Sequence, residues 1–201
     1  MKPLRVGAAG LTLAAALVLA SGAQEAHAHL VETGLGPVYD GIAHFALTPE
    51  DLMPALALAA LAGLRGSDHA RRAIFVLPLA WLLAGFFGAS AKVALPDSLS
   101  WAPLLVLGGL VAADLRLPAA ATTALAAALG LFLGLANGYA MAQAGAGVRG
   151  VVGIVSAVFV VTTLGAACAV AWQSGWLRIA WRVAGSWIAA SGVLLLGWSL
   201  R

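Results

Sequence analysis

Apolar residues in this chain fall in long blocks, and the polar residues crowd into the short gaps between them. An α-helix needs about 20 apolar residues to cross the hydrocarbon core of a bilayer. The blocks predict six spans, at roughly 50–65, 71–91, 99–114, 119–142, 150–172 and 179–199. Each gap carries turn or breaker chemistry: RGSDHARR at 65–72, LPDSLS at 95–100, DLRLP at 114–118, QAGAGVRG at 143–150 and QSGWLR at 173–178. No gap has room for a soluble domain. The first span is short, so it draws on the segment before it or lies in a thinned or protein-lined region.

Ahead of these blocks stands a different pattern. Lys2 and Arg5 form a positive start, LTLAAALVLA (11–20) is too short to span, and Ala26-His27-Ala28 fits a small-x-small cleavage site. Residues 1–28 therefore read as a cleaved signal peptide, which makes His29 the mature N-terminus. The expected fold class is all-α: a polytopic helical membrane protein of about six transmembrane helices. Residues 29–201 form one domain with a short outer segment, 29–48.

Composition sharpens this reading. With 62% hydrophobic residues, 9% charged and a mean hydropathy of +0.98, the chain lacks the polar surface of a soluble domain. The net charge of +3 comes from scattered loop residues without aromatic interleaving, so no nucleic-acid partner is expected. The basic residues set orientation instead. An exported N-terminus places Arg65, Arg71, Arg72, Arg116, Arg178 and Arg182 inside and only Lys92, Arg149 and Arg201 outside. The expected location is thus a bacterial inner membrane, multi-pass, with the N-terminus outside and lipid as neighbour. Trp101, Trp172, Trp176, Trp181 and Trp198 lie near span ends, as an aromatic belt would. The single cysteine, Cys168, excludes an internal disulfide and reads as a packing residue.

Gly130, Gly134 and Gly138 share one helix face, and Gly150, Gly153 and Gly165 punctuate the next span. Tight helix packing explains them. A narrow polar path beside that face, lined by Asn137 and Gln143, is the alternative.

Chemistry concentrates in one place. Between His29 and Leu64 there is no lysine or arginine, yet the stretch holds His29, Glu32, Asp40, His44, Glu50 and Asp51. Such a local negative field gathers cations, and imidazole with carboxylate suits nickel, cobalt, zinc or copper. Duller roles compete at each position. Thr48-Pro49-Glu50-Asp51 is a helix start, with Thr48 as N-cap, Pro49 at N1 and Asp51 in a capping-box position. Glu50 and Asp51 also suit the positive end of a helix dipole. Asp40 and His44, four apart, share a helix face, where Asp40 either ligates a metal or orients the His44 ring. His29 pairs an imidazole with a terminal amine after cleavage, or is simply a frayed end. Asp68 and His69 read as solvated loop residues, and Asp114 reads as a surface partner of Arg116. No nucleophile–base pair or phosphate-binding glycine loop is present, so an enzyme is not expected.

The plan resembles the HupE/UreJ family of membrane proteins. Gly41-Ile42-Ala43-His44 followed by Asp51 is similar to the family's early motif, and Asn137-Gly138-Tyr139-Ala140-Met141-Ala142 resembles its His-Gly region. The chain departs from the pattern twice: Leu52 follows Asp51 where the family has histidine, and Asn137 stands in place of the later histidine. The resemblance implies permeation of nickel or cobalt in hydrogenase and urease maturation. On this reading the metal is cargo, with no permanently bound cofactor, and His44, Asp51, Asp40, His29, Glu50 and Asn137 are the candidate ligands. Copper or zinc are alternative cargoes, and a homo-oligomer or contact with metalloenzyme maturation proteins is compatible with it. The competing readings are a non-transporting accessory protein that holds metal at the outer face, and a structural subunit without metal.

Overall fold

The computed structural model describes residues 33–91, 96, 99–173 and 175–201. The signal-peptide segment 1–28, His29, Glu32 and Lys92 lie outside the described residues. Seven α-helices follow one another among those described: α1 Pro37–Leu47, α2 Pro49–Gly63, α3 Ser67–Ala91, α4 Trp101–Ala112, α5 Ala119–Gln143, α6 Gly147–Ala171 and α7 Trp176–Ser199. The all-α expectation holds. Helices α3, α5, α6 and α7 are long and apolar enough to cross a membrane. α1 and α2 make a fifth candidate as a broken pair, bent by 73°.

The short block at 50–65 draws on the segment before it, as its length requires: α1 precedes it, and ten of the fifteen residues of α2 are buried in the protein. One expected span is cut shorter. The block at 99–114 yields only the 12-residue α4, about 18 Å long at 1.5 Å per residue. It stops because Asp114 adopts a left-handed backbone (φ 52°), a conformation aspartate tolerates and a helix cannot continue through.

Lipid supplies no hydrophobic drive to bring helices together, so close backbone approach must supply packing energy. Glycine makes that approach at several of the helix pairs, including those that pack most extensively. A Cβ on Gly130 or Gly134 of α5 would sit 2.6 and 2.5 Å from the Leu77 and Trp81 carbonyl oxygens of α3. On α1, a Cβ at Gly41 would run into the Gly150 backbone of α6. α4 meets α7 through Gly108, whose Cβ would lie 2.5 Å from the Ala189 nitrogen, and through Gly185 and Gly192. The glycine faces are thus packing surfaces, as the plainer of the two readings had it. Gln143 does not line a path beside them. It is exposed and donates to the Tyr139 hydroxyl at 2.8 Å.

The core sits where α2 passes among α1, α3, α5 and α6. Phe45, Leu58, Leu61, Leu77, Trp81 and Ile154 are fully buried there. The Phe45 and Trp81 rings meet edge to face, with centroids 5.9 Å apart, the arrangement that ring quadrupoles favour. α7 lies at the margin and packs chiefly on α4. Trp176, Trp187 and Trp198 remain mostly exposed, an outward face suited to lipid.

Gly134→Leu should force α3 and α5 apart and destabilise the protein by about 3 kcal/mol or more, at or above the upper end of ordinary overpacking. Thermal unfolding in detergent checks this, with Gly109→Ala as control. A Cβ at Gly109 meets nothing within 4 Å, so that change should be neutral or mildly stabilising.

Candidate functional site

The site begins with a helix break. A residue before proline is disfavoured in the helical region, and Thr48, preceding Pro49, is extended at φ −102°, ψ 99°. That single residue ends α1 and starts α2. Thr48 does occupy the N-cap position, but its side chain makes no cap hydrogen bond. The expected capping box is therefore not formed. Asp51 turns inward instead and is 4% exposed.

The break sets distances. In a continuous helix, residues seven apart are separated by about 10 Å along the axis. Across the bend, His44 Nε2 lies 3.8 Å from Asp51 Oδ2, and both residues are buried. Asn137 of α5 completes the group from the opposite side. Its Nδ2 donates to Asp51 Oδ1 at 3.0 Å and to the Leu133 carbonyl at 2.9 Å. Its Oδ1 is buried and has no hydrogen-bond partner. Three helices thus bring three polar side chains together in a mostly apolar core.

The spacing suits a cation. At 3.8 Å, imidazole and carboxylate are too far apart to hydrogen-bond. The gap is slightly less than the sum of one metal–nitrogen and one metal–oxygen bond, about 4.0–4.3 Å for zinc, so one ion can touch both. Among the described residues no group of three histidine, cysteine, aspartate or glutamate side chains assembles. A complete shell here must draw on the Asn137 amide, on water, or on donors outside the described residues. Ionisable side chains inside a membrane are costly and mark function by default.

Other predicted ligands stand apart. Asp40 does not face His44: its Oδ1 accepts from the Thr33 amide and hydroxyl, both at 2.7 Å. That pins the segment leading into α1. Glu50 borders a separate cavity of about 410 Å³ with Met53, Leu104 and Trp187. His29 lies outside the described residues. Of the six candidates, the fold unites His44, Asp51 and Asn137.

The opposite end of α2 holds a second polar cluster, whose pairings are long-range and leave no local spacing signal. Asp114 does not pair with Arg116. It accepts from Arg178 Nε at 2.7 Å and from an Arg65 Nη atom. The Arg65 side chain is 7% exposed. Nearby, Arg182 donates to the Ala112 carbonyl and Gln173 to the Gly63 carbonyl, each at 2.9 Å, so two helix C-termini gain partners for orphan carbonyls. Asp68 and His69 are also not loop residues. They lie in the first turn of α3, where Asp68 pairs with Arg71 at 3.8 Å. His69 Nδ1 lies 3.2 Å from the hydroxyl of buried Thr122. The only hint of the charge cluster was an aspartate in a strongly basic loop set.

Long apolar helices around a buried imidazole–carboxylate–amide group define a multi-pass membrane protein. The chain belongs to the HupE / UreJ protein family, whose model matches residues 14–195. That family is linked to nickel or cobalt transport or to urease and hydrogenase maturation, and is a transporter or accessory family rather than a known class of enzyme. No curated protein and no solved structure matches the chain.

The Arg178 hydrogen bond, reinforced by Arg65, holds the Asp114 carboxyl below the usual carboxylate range against a smaller opposing effect of burial. A carboxyl depressed in the folded state stabilises the fold above its unfolded value, near pH 4, and loses that contribution as pH falls through the folded value. Asp114→Asn should destabilise by roughly 3 kcal/mol at neutral pH, because it leaves buried Arg65 unpaired. The difference between wild type and variant should shrink below pH 4, as read by thermal unfolding in detergent across pH.

Proposed function

We propose that the protein is a permease for divalent transition-metal ions of the nickel or cobalt type, in a bacterial inner membrane with its N-terminus outside. The observation that carries this reading is the meeting of His44, Asp51 and Asn137 from three helices at one buried point. A structural subunit has no use for an ionisable pair held just beyond hydrogen-bonding distance. In the orientation set by the basic residues, the ion approaches from the outer side, where Asp40 and Glu50 add negative charge without facing the site itself. His44 and Asp51 take the ion from that approach, with Asn137 on its inner side. A single imidazole with a carboxylate and an amide is a harder donor set than several imidazoles, so it does not by itself favour nickel or cobalt over zinc, and it suits copper least. The membrane potential supplies the drive: at about 100 mV a divalent cation moving inward gains roughly 4.6 kcal/mol, twice the value per charge.

One observation favours a second reading. Beyond the site, α2 presents Leu58 and Leu61, both fully buried, with no polar side chain between Asp51 and Arg65. A protein that only holds metal at the outer face, assisting maturation of a metalloenzyme, needs no passage through that packing. Transport requires it to open.

Uptake into sealed vesicles containing the purified protein separates the two. Wild type should take up nickel or cobalt saturably and faster under an inside-negative potential. His44→Ala and Asp51→Asn should each reduce uptake by at least tenfold, in the range found when metal-site partners are removed. Binding without uptake of nickel, cobalt, zinc or copper would support the accessory reading and exclude transport by this protein alone.

A further inference from the structure

Asn137 is chemically odd where it stands. Its two-ended amide has both N–H groups engaged, by Asp51 Oδ1 and the Leu133 carbonyl, while its carbonyl oxygen is buried with no partner. The assignment of the two ends follows from chemistry. The neighbours at 3.0 and 2.9 Å are a carboxylate and a backbone carbonyl, which only accept, so the nitrogen must face them. A buried carbonyl left unpaired is unfavourable, and the residue is 4% exposed. The His44 ring makes a loose hydrogen-bonding contact with this amide, one that falls outside normal hydrogen-bond geometry to Oδ1.

We infer that Asn137 is a charge-sensing positioning residue that exchanges its amide nitrogen for its amide oxygen when a cation enters between His44 and Asp51. This rests on the proposed cation site and concerns how that site is regulated. In the empty site the N–H end compensates the Asp51 carboxylate. A cation beside Asp51 reverses the local field: it repels the N–H end and attracts the carbonyl. The last side-chain torsion of asparagine is broad and roughly two-fold, so the exchange needs no backbone movement. The oxygen that is unpaired in the empty site becomes a donor to the cation. The exchange releases both amide hydrogen bonds, the one to the Leu133 carbonyl within α5 and the one that ties Asp51 to α5, so the cation must offset both and occupancy of the site is communicated to the α2–α5 contact. Apolar packing alone predicts none of this, since a leucine would fill the position without leaving a polar atom unpaired.

The sequence offers a direct test, because Asn137 is the only asparagine in the chain. Growth on asparagine carrying ¹³C at the side-chain carbonyl labels this one amide in the full-length protein, with no substitution. Infrared difference spectra of the protein in detergent are recorded as Ni²⁺ is added, alongside equilibrium binding of Ni²⁺ to wild type and His44→Ala. The expected result is a label-specific carbonyl band that shifts to lower frequency and saturates at the same Ni²⁺ concentration as binding, with both lost in His44→Ala. Ni²⁺ binding that depends on His44 but leaves the labelled band unmoved overturns the exchange and leaves the cation site standing. Absence of Ni²⁺ binding to wild type, repeated with Co²⁺ and Zn²⁺, overturns both.

Discussion

The arrangement depends on one extended residue. Thr48, forced out of the helical region by Pro49, turns what would be a continuous helix through 73°. Without that turn His44 and Asp51 would stand more than a helical turn apart on one face, each an isolated polar group in an apolar surrounding. With it the His44 nitrogen and the Asp51 oxygen close to 3.8 Å. The turn also lets α2 run through the interior instead of along the surface, which is why ten of its residues are buried.

A broken helix is stable only if its surroundings hold both halves. Glycine does this on the α1 side, where Gly41 and Gly153 bring α1 against α6 at backbone distance. Asp40 holds the start of α1 through the Thr33 amide and hydroxyl. On the far end of α2, Arg65 reaches Asp114, which also binds Arg178. That cluster ties α2 to the α4–α7 pair, which otherwise adjoins the rest of the bundle mainly through α4. The polar site and the charge cluster thus lie near opposite ends of one buried helix. Any movement of α2 that opens the packing around Leu58 and Leu61 must be accommodated at both.

Much of this was legible in the residues. Long apolar blocks gave the helices, Thr48-Pro49 marked the helix start, and an acidic, lysine- and arginine-free stretch marked where chemistry would gather. Asn137 stood out as a polar residue inside an apolar block. The pairings were not legible, because they depend on angles that one-dimensional spacing does not carry. Asp40 and His44 share a spacing that allows contact, yet Thr33 reaches Asp40 first. Asp51 looked like a cap because its local sequence is that of a cap, whereas burial and Asn137 decide its role. Asp114 lies two residues from Arg116 and is bound by arginines 49 and 64 positions away. Helix packing made that choice.

On the proposed reading, the break at Thr48 builds a mixed cation site from one imidazole, one carboxylate and one amide. X-ray absorption of the Ni²⁺-loaded protein tests it most directly, since the method counts imidazoles and detects sulfur. The expected spectrum is a shell of nitrogen and oxygen at about 2.0–2.2 Å that includes the His44 imidazole and loses it in His44→Ala. A sulfur ligand, or a spectrum unchanged in His44→Ala, overturns the site.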